Sequence, residues 1–384
     1  MKILFKNATI VTIEKEPFKG DLLIENDIIK KISKEIKDSA DEIIDAENKF
    51  LLPGFIDAHS HIGVFEEGVG EGAHQDGNEM TDPITPQVRT IDAFITDDAA
   101  IKRALAGGVT TVNVVPGSAN LIGGQGAILK FKSNILDEMI IKQPSGLKMA
   151  LGENPKRVYD SKGKMPSTRL GNAALIREYF IKVKNYMKNK NKALKEDKDF
   201  DIDIKFEIGE KVLNKEIPAR IHAHRKDDIV TAIRLSEEFD FDLIIEHATE
   251  AYKIPEFISK KNVPLILGPI FGFRTKLELK DATYDSVRIL NDHNVLCAMM
   301  CDHPVIHLEH ANINAGLAMR YGAKEDDVLK MLTINPAKIL KIDDEVGSLK
   351  EGKKADIVLW SNHPFDLKAK AEKVFIEGKQ VFSL

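Results

Sequence analysis

An alternation restricts this chain more than any other feature. Between residues 54 and 302, short apolar runs recur, most of them separated by stretches of helical periodicity. The runs are GFIDAH (54–59), VTTVNVV (109–115), GAILKF (126–131), GLKMAL (146–151), PARIH (218–222), FDLIIEH (241–247), VPLILG (263–268) and NVLCAMMCD (294–302). Their length and apolar content read as strands. Amphipathic spacing predicts helices over 97–106, 172–188, 227–239, 254–260, 284–292 and 311–321, and a further helical stretch over 324–340 broken at Pro336. Eight strands mixed with helices point to an α/β fold with a closed parallel (β/α) barrel rather than an open sheet. The segments after the second and third runs lack a clear helical pattern, so the units are not uniform.

The two ends of the chain share a different texture. ILFKNATIVTI, GDLLIENDIIKKIS and DEIIDAENKFLL near the start, and GSLKEGKKADIVLW and KVFIEGKQVFSL near the end, are β-type runs between Gly, Asn and Asp turn signals. A chain of 384 residues with a net charge of -5 can bury a large core, and that charge argues against a nucleic-acid binder. The N-terminal stretch has no signal-peptide pattern, and no apolar run is long enough to span a bilayer. Two cysteines, Cys297 and Cys301, lie in an apolar stretch and read as buried reduced thiols. These features predict a cytoplasmic enzyme with a small-molecule substrate, no nucleic-acid or membrane partner, and a surface compatible with a homo-oligomer.

The strand ends carry the chemistry. In LLPGFIDAHSHIG, His59 and His61 stand two residues apart, a spacing that projects both imidazoles to one side of a strand. That is a metal-ligand geometry, weak as a pair. Other runs end alike: the fourth with Glu153, the fifth with His222 and His224, the sixth with His247, and the eighth with Asp302 and His303. One such histidine is more often an ordinary hydrogen-bonded residue. Unrelated core histidines, however, have no reason to gather at one rim, and in a barrel that rim is where active sites are built. The long insert after His61, rich in Gly, Asp and Pro, reads as an irregular loop over the same face. His74 and Glu79 within it are open candidates for substrate contact.

The combination of PGFIDAHSH, RIHAH, IIEHATE and CDHP, with the tail LTINPAKIL…VGSLKEGKKADIVLW, resembles the amidohydrolase superfamily of metal-dependent hydrolases. More narrowly it is similar to the imidazolonepropionase-related subgroup. The resemblance implies a distorted (β/α)8 TIM barrel over 53–343 and a small β-sandwich-like domain assembled from 1–52 and 344–384. It implies metal ligands at His59, His61, His222, His247 and Asp302. Members with two ions add a bridging residue on the third or fourth strand; here Glu153 is favoured over Lys148, whose alternative is a side chain snorkelling towards solvent.

Imidazoles and carboxylates without a thiolate suit one or two divalent ions, zinc first, with iron, manganese or nickel also open. The expected reaction is hydrolysis of an amide-type C–N bond in a cyclic amide, imide or N-acyl compound by a metal-activated water. Asp302 is expected to serve as general base and then acid, with His224 or another rim donor steadying the oxyanion. Deaminases of the superfamily usually carry Glu three residues after the strand-five histidine; Arg225 stands there instead, which favours amide hydrolysis. Arg225, Arg169 and Asn154 are candidate substrate contacts, the arginines because a guanidinium matches a carboxylate. Two alternatives stay open: a metallo-dipeptidase acting on Xaa-Pro or N-acyl amino acid substrates, and a catalytically silent scaffold relative.

Overall fold

The computed structural model describes residues 1–68, 75–272 and 274–384. It begins with five strands: β1 (Lys2–Ile10), β2 (Phe18–Glu25), β3 (Ile28–Ser33), β4 (Glu42–Asp45) and β5 (Phe50–Pro53). Ten more follow through the middle of the chain: β6 (Phe55–Ser60), β7 (Val109–Val114), β8 (Ile122–Gln125), β9 (Ala127–Lys130), β10 (Ile140–Lys142), β11 (Leu147–Ala150), β12 (Ala219–Ala223), β13 (Leu243–His247), β14 (Leu265–Leu267) and β15 (Cys297–Met299). The chain closes on β16 (Ile357–Trp360), β17 (Ala371–Ile376) and β18 (Lys379–Ser383).

The shared texture of the two ends has a structural counterpart. One sheet takes β1 to β5 from the start and β16 to β18 from the end, in the order β18-β17-β16-β5-β1-β2-β3, with β4 pairing β1. Its buried side includes Phe5, Ile10, Leu22, Ile24, Leu51, Ile357 and Phe375. Phe5 meets Phe375 edge to face at 5.3 Å, so residues from opposite ends of the chain lock one core.

The middle strands form two further sheets, β10-β9-β7-β6 and β15-β14-β13-β12-β11-β8. β6 runs parallel to β7, and β11 to β15 run parallel in sequence order. The third expected strand departs from this pattern. Consecutive strands β8 and β9 lie between β11 and β7, antiparallel to both. Alternating apolar residues specify which faces are buried but not strand direction, so an all-parallel set was the simpler reading. The arrangement is an α/β fold with mixed sheets, consistent with a distorted (β/α) barrel.

Helices cover the sheets where the periodicity placed them, including Ala99–Ala106, Arg169–Lys195, Lys226–Phe239, Pro255–Lys261, Ser286–Asp292 and Ala311–Arg320. The helices Glu153–Asp160 and Ile204–Leu213 were not expected. The stretch from 324 to 340 splits into Glu325–Leu332 and Ile334–Leu340 at Thr333, not at Pro336. Pro336 is the third residue of the second helix, where a missing N–H costs nothing because first-turn amides have no intrahelical partner. Cys297 and Cys301 are free and buried. Among the described residues no helix is long and apolar enough to cross a membrane.

Candidate metal centre

Strand alternation would send Glu246 and His247 to opposite faces of β13. It fails at the last residue, because His247 has φ 67° and Ala248 follows at 50°. Left-handed backbone at non-glycine residues is costly and concentrates at functional sites. Here it lets both neighbours approach His59. Glu246 Oε2 is 3.0 Å from His59 Nδ1, and the His247 ring centroid is 5.2 Å from that of His59. Asp302, just beyond β15, has φ 54° as well.

The first group of side chains is His59, His61 and Asp302. His59 Nε2 lies 3.3 Å from His61 Nε2 and 3.0 Å from Asp302 Oδ1, and His61 Nε2 lies 3.2 Å from that same oxygen. The opposite edge of each ring is anchored. His61 Nδ1 is 2.7 Å from the Val115 carbonyl, which can only accept, so Nε2 is left as a lone-pair donor. Burial pushes the Asp302 carboxyl pKa upward, but His247, His59 and His61 outweigh it and hold the group well below the usual carboxylate range. Beneath them Asp57, pushed up to about 7 by burial, accepts the backbone N–H groups of His59 and Cys301 at 2.9 and 2.8 Å. Those bonds tie β6 to the end of β15.

Under His59 lies a network of buried charges. Glu246 Oε2 is 2.7 Å from Lys148 Nζ, and Glu246 Oε1 accepts from Arg220 Nε at 2.9 Å. Arg220 Nη2 also donates to the Ala58 carbonyl on β6 at 2.5 Å. Lys148 therefore does not snorkel: it is 1% exposed and its ammonium is held by Glu246 inside the protein.

The second group is His222, His224 and His247, with ring centroids 4.2 to 4.6 Å apart. His247 Nδ1 is 3.0 Å from the Gly268 carbonyl, and His224 Nδ1 is 2.7 Å from Thr249 Oγ1. Glu278, which the sequence reading missed, stands beside them with Oε1 3.8 Å from His222 Nε2 and 3.9 Å from His224 Nε2. Burial lowers the His222 pKa to about 4, so its ring is neutral at pH 7.

The donor set fits a divalent cation. In each group the ligand-type atoms lie within 4.8 Å of one another. Both ring nitrogens of His222 and Nε2 of His224 are buried without a hydrogen-bond partner, and Oε1 of Glu278 has Lys276 Nζ at 2.8 Å. Orphaned buried polar atoms are costly and uncommon, and a shared cation would satisfy one nitrogen of each ring.

Several expected site residues take other positions. Glu153 is in neither group: Gly152 turns the chain at φ 84° and Glu153 opens a helix, its backbone N–H donating to Glu278 Oε2 at 3.1 Å. Arg169 grips buried Asp228 through Nε and Nη2 at 2.9 Å, so its fork is occupied within the protein. Arg225 donates to Asp227 two residues on, at 3.0 Å. Asn154 Nδ2 donates to Ser118 Oγ at 2.8 Å, and its Oδ1 accepts from Lys276 at 3.4 Å. Glu79 caps its own turn through Thr81, and His74 lies outside the described residues. A cavity of about 340 Å³ opens beside His247, lined among others by Thr249, Ile270, Arg274, Tyr284 and Ser286.

Imidazoles and an aspartate held at strand ends, over a helix-covered α/β core, define a class of protein whose site can hold a metal ion. Residues 50–381 match the model of the Amidohydrolase family, and the chain belongs to that family. A crystal structure of an amidohydrolase from Thermotoga maritima MSB8 is 58% identical, covers 100% of both chains and superposes with a TM-score of 0.98. Amidohydrolase tasK of Hapsidospora irregularis is 28% identical over 94% of this chain, which spans only 40% of that relative. Imidazolonepropionase of Picrophilus torridus is 24% identical over 93% of this chain and 91% of its own.

Proposed function

We propose that the protein is a metal-dependent hydrolase that cleaves an amide-type C–N bond in a small molecule such as a cyclic amide, an imide or an N-acyl compound. The observation that carries this reading is the convergence of Asp302 Oδ1 with His59 Nε2 and His61 Nε2 at 3.0 and 3.2 Å. His59, His61 and Asp302 would hold one ion. A divalent cation bound there supplies Lewis-acid stabilisation of a carbonyl and an acidified water. Zinc suits this donor set first.

The chain's own groups do the rest. Asp302, kept as a carboxylate, takes the proton of the attacking water and delivers it to the departing nitrogen. Glu246 stands against the His59 ring and the Val115 carbonyl against the His61 ring, which sets their orientations. The cavity beside His247 receives the substrate. Family membership and the likeness to imidazolonepropionase support chemistry at a C–N bond.

The same reading takes residues 53–343 as a distorted (β/α)8 barrel and residues 1–52 with 344–384 as its β-sandwich-like companion. The sheet built from both ends supports this division, as do the bonds from Cys301 to Asp57 and from His61 to the His303 carbonyl.

The test is a screen of metal-loaded protein against lactams, cyclic imides, N-acyl amino acids and dipeptides, with Asp302→Asn as control. Turnover of lactams, imides or N-acyl compounds, absent in the control, is expected. Turnover of dipeptides alone favours a metallo-dipeptidase, and equal rates in Asp302→Asn overturn the reading.

A further inference from the structure

Glu278 enters the centre from the short 3-10 helix Leu277–Leu279, which lies in the chain between β14 and the helix Ser286–Asp292, and its carboxylate is 0% exposed. Two contacts fix it there, and Gly152 leaves the space that it fills. Oε2 accepts the Glu153 N–H at 3.1 Å, Lys276 Nζ stands 2.8 Å from Oε1, and a Cβ on Gly152 would come within 2.6 Å of Oε2. Gly152 therefore makes room for this carboxylate. Oε1 faces the Nε2 atoms of His222 and His224, and neither of those nitrogens has a hydrogen-bond partner in the protein.

We infer that Glu278 is a metal ligand, completing with His222, His224 and His247 a second divalent-cation site separate from His59, His61 and Asp302. The donor chemistry of three imidazoles and a carboxylate suits zinc or another borderline divalent ion. His224 is then a ligand rather than an oxyanion donor. Lys148 is held by Glu246, and the contact of Glu153 with Glu278 is made by its backbone N–H. Lys276 competes with the cation for Oε1, since both are positive charges at one oxygen. A site of this composition is distinguished from an internal Lys276–Glu278 ion pair by what it binds.

The inference rests on the metal-dependent reading, and its test separates the two. Protein stripped with a chelator is titrated with Zn²⁺ by calorimetry, and the bound metal is counted by mass spectrometry. Wild type is expected to bind two equivalents per chain. Glu278→Gln keeps one, and the other weakens by at least about 10-fold, the lower range for loss of a group supporting a metal site. Thermal unfolding of the stripped variant checks that it is folded. Lys276→Met, which removes the competing charge and keeps every ligand, is expected to tighten the second equivalent. One equivalent in wild type, or unchanged binding in both variants, overturns the assignment of Glu278. If that single-ion protein still hydrolyses its substrate, the proposed function stands without the second site; if no ion binds at all, both readings fall.

Discussion

Glu246 Oε2 lies 3.0 Å from Nδ1 of His59 and 2.7 Å from Nζ of Lys148, so one buried carboxylate both orients an imidazole of the centre and neutralises an ammonium. Arg220 holds its other oxygen. Glu246→Gln keeps the shape and removes the charge, leaving two buried cations with no anion between them. Breaking a buried pair in this way costs about 3–5 kcal/mol. Loss of the oriented His59 ring should also weaken binding at the first site by about 10- to 100-fold. Chemical unfolding with and without chelator separates these effects. A variant as stable as wild type, binding metal as tightly, would show that the network is not needed.

Asp302 is held as a carboxylate between His59 and His61. Asp302→Asn offers an amide where a proton acceptor is needed. Turnover should fall by at least about 10²-fold, the usual contribution of a positioned general base. Circular dichroism should be unchanged, because Asn fills the same volume. Rates measured at saturating metal distinguish lost proton transfer from lost metal. A variant with near-normal rates at high metal would reassign Asp302 to metal retention alone.

How much of this was legible in the sequence divides along physical lines. His59 and His61 could be placed together because side chains two residues apart at a strand end face the same way. His222, His247 and Asp302 could be read because each closes an apolar run. Glu278 could not, since it sits in a single 3-10 turn, Leu277–Leu279, that closes no apolar strand, and reaches the centre only through tertiary folding. Glu153 looked right for the same reason that Glu278 was invisible: position after a strand says nothing about where a side chain ends up once Gly152 turns the backbone. The expected roles of Arg169 and Arg225 rested on a free guanidinium, and their partners Asp228 and Asp227 both lie on the helix Lys226–Phe239. The reversed direction of β8 and β9 was hidden because hydrophobic patterning is the same read either way along a strand.

Gly152 has φ 84° and ψ -146°, a region essentially reserved for glycine. Gly152→Ala adds backbone strain of about 1–3 kcal/mol, and its Cβ would press on Glu278 Oε2 at 2.6 Å. Gly163→Ala provides the comparison, since Gly163 has φ 64° and nothing within 4 Å of the added carbon. The Gly152 variant should be the less stable of the two in urea unfolding. Equal stability losses would mean that Glu278 yields without cost and is not firmly held.

Glu377, in the turn between β17 and β18, reaches the central strands. Its Oε1 accepts from Lys130 at 3.3 Å and its Oε2 from Lys132 at 2.9 Å. Burial raises the Glu377 pKa, but Lys132 and Lys130 outweigh it and hold the value below the ordinary 4.5. A carboxylate depressed in the folded state contributes stability that is fully present above pH 4.5 and disappears as pH falls through the folded value. Glu377→Gln should therefore cost about 1.5–3 kcal/mol at pH 7, the range for hydrogen bonds to charged groups. Lys130 keeps a second partner in Asp356 at 3.0 Å, so the loss should not reach that of an isolated buried charge. The gap between wild type and variant should close progressively below about pH 4.5 as the wild-type carboxylate takes up a proton. Urea unfolding of both proteins from pH 7 to pH 3 checks the sign. A gap that stays constant across that range would show that Glu377 acts through packing and not through its charge.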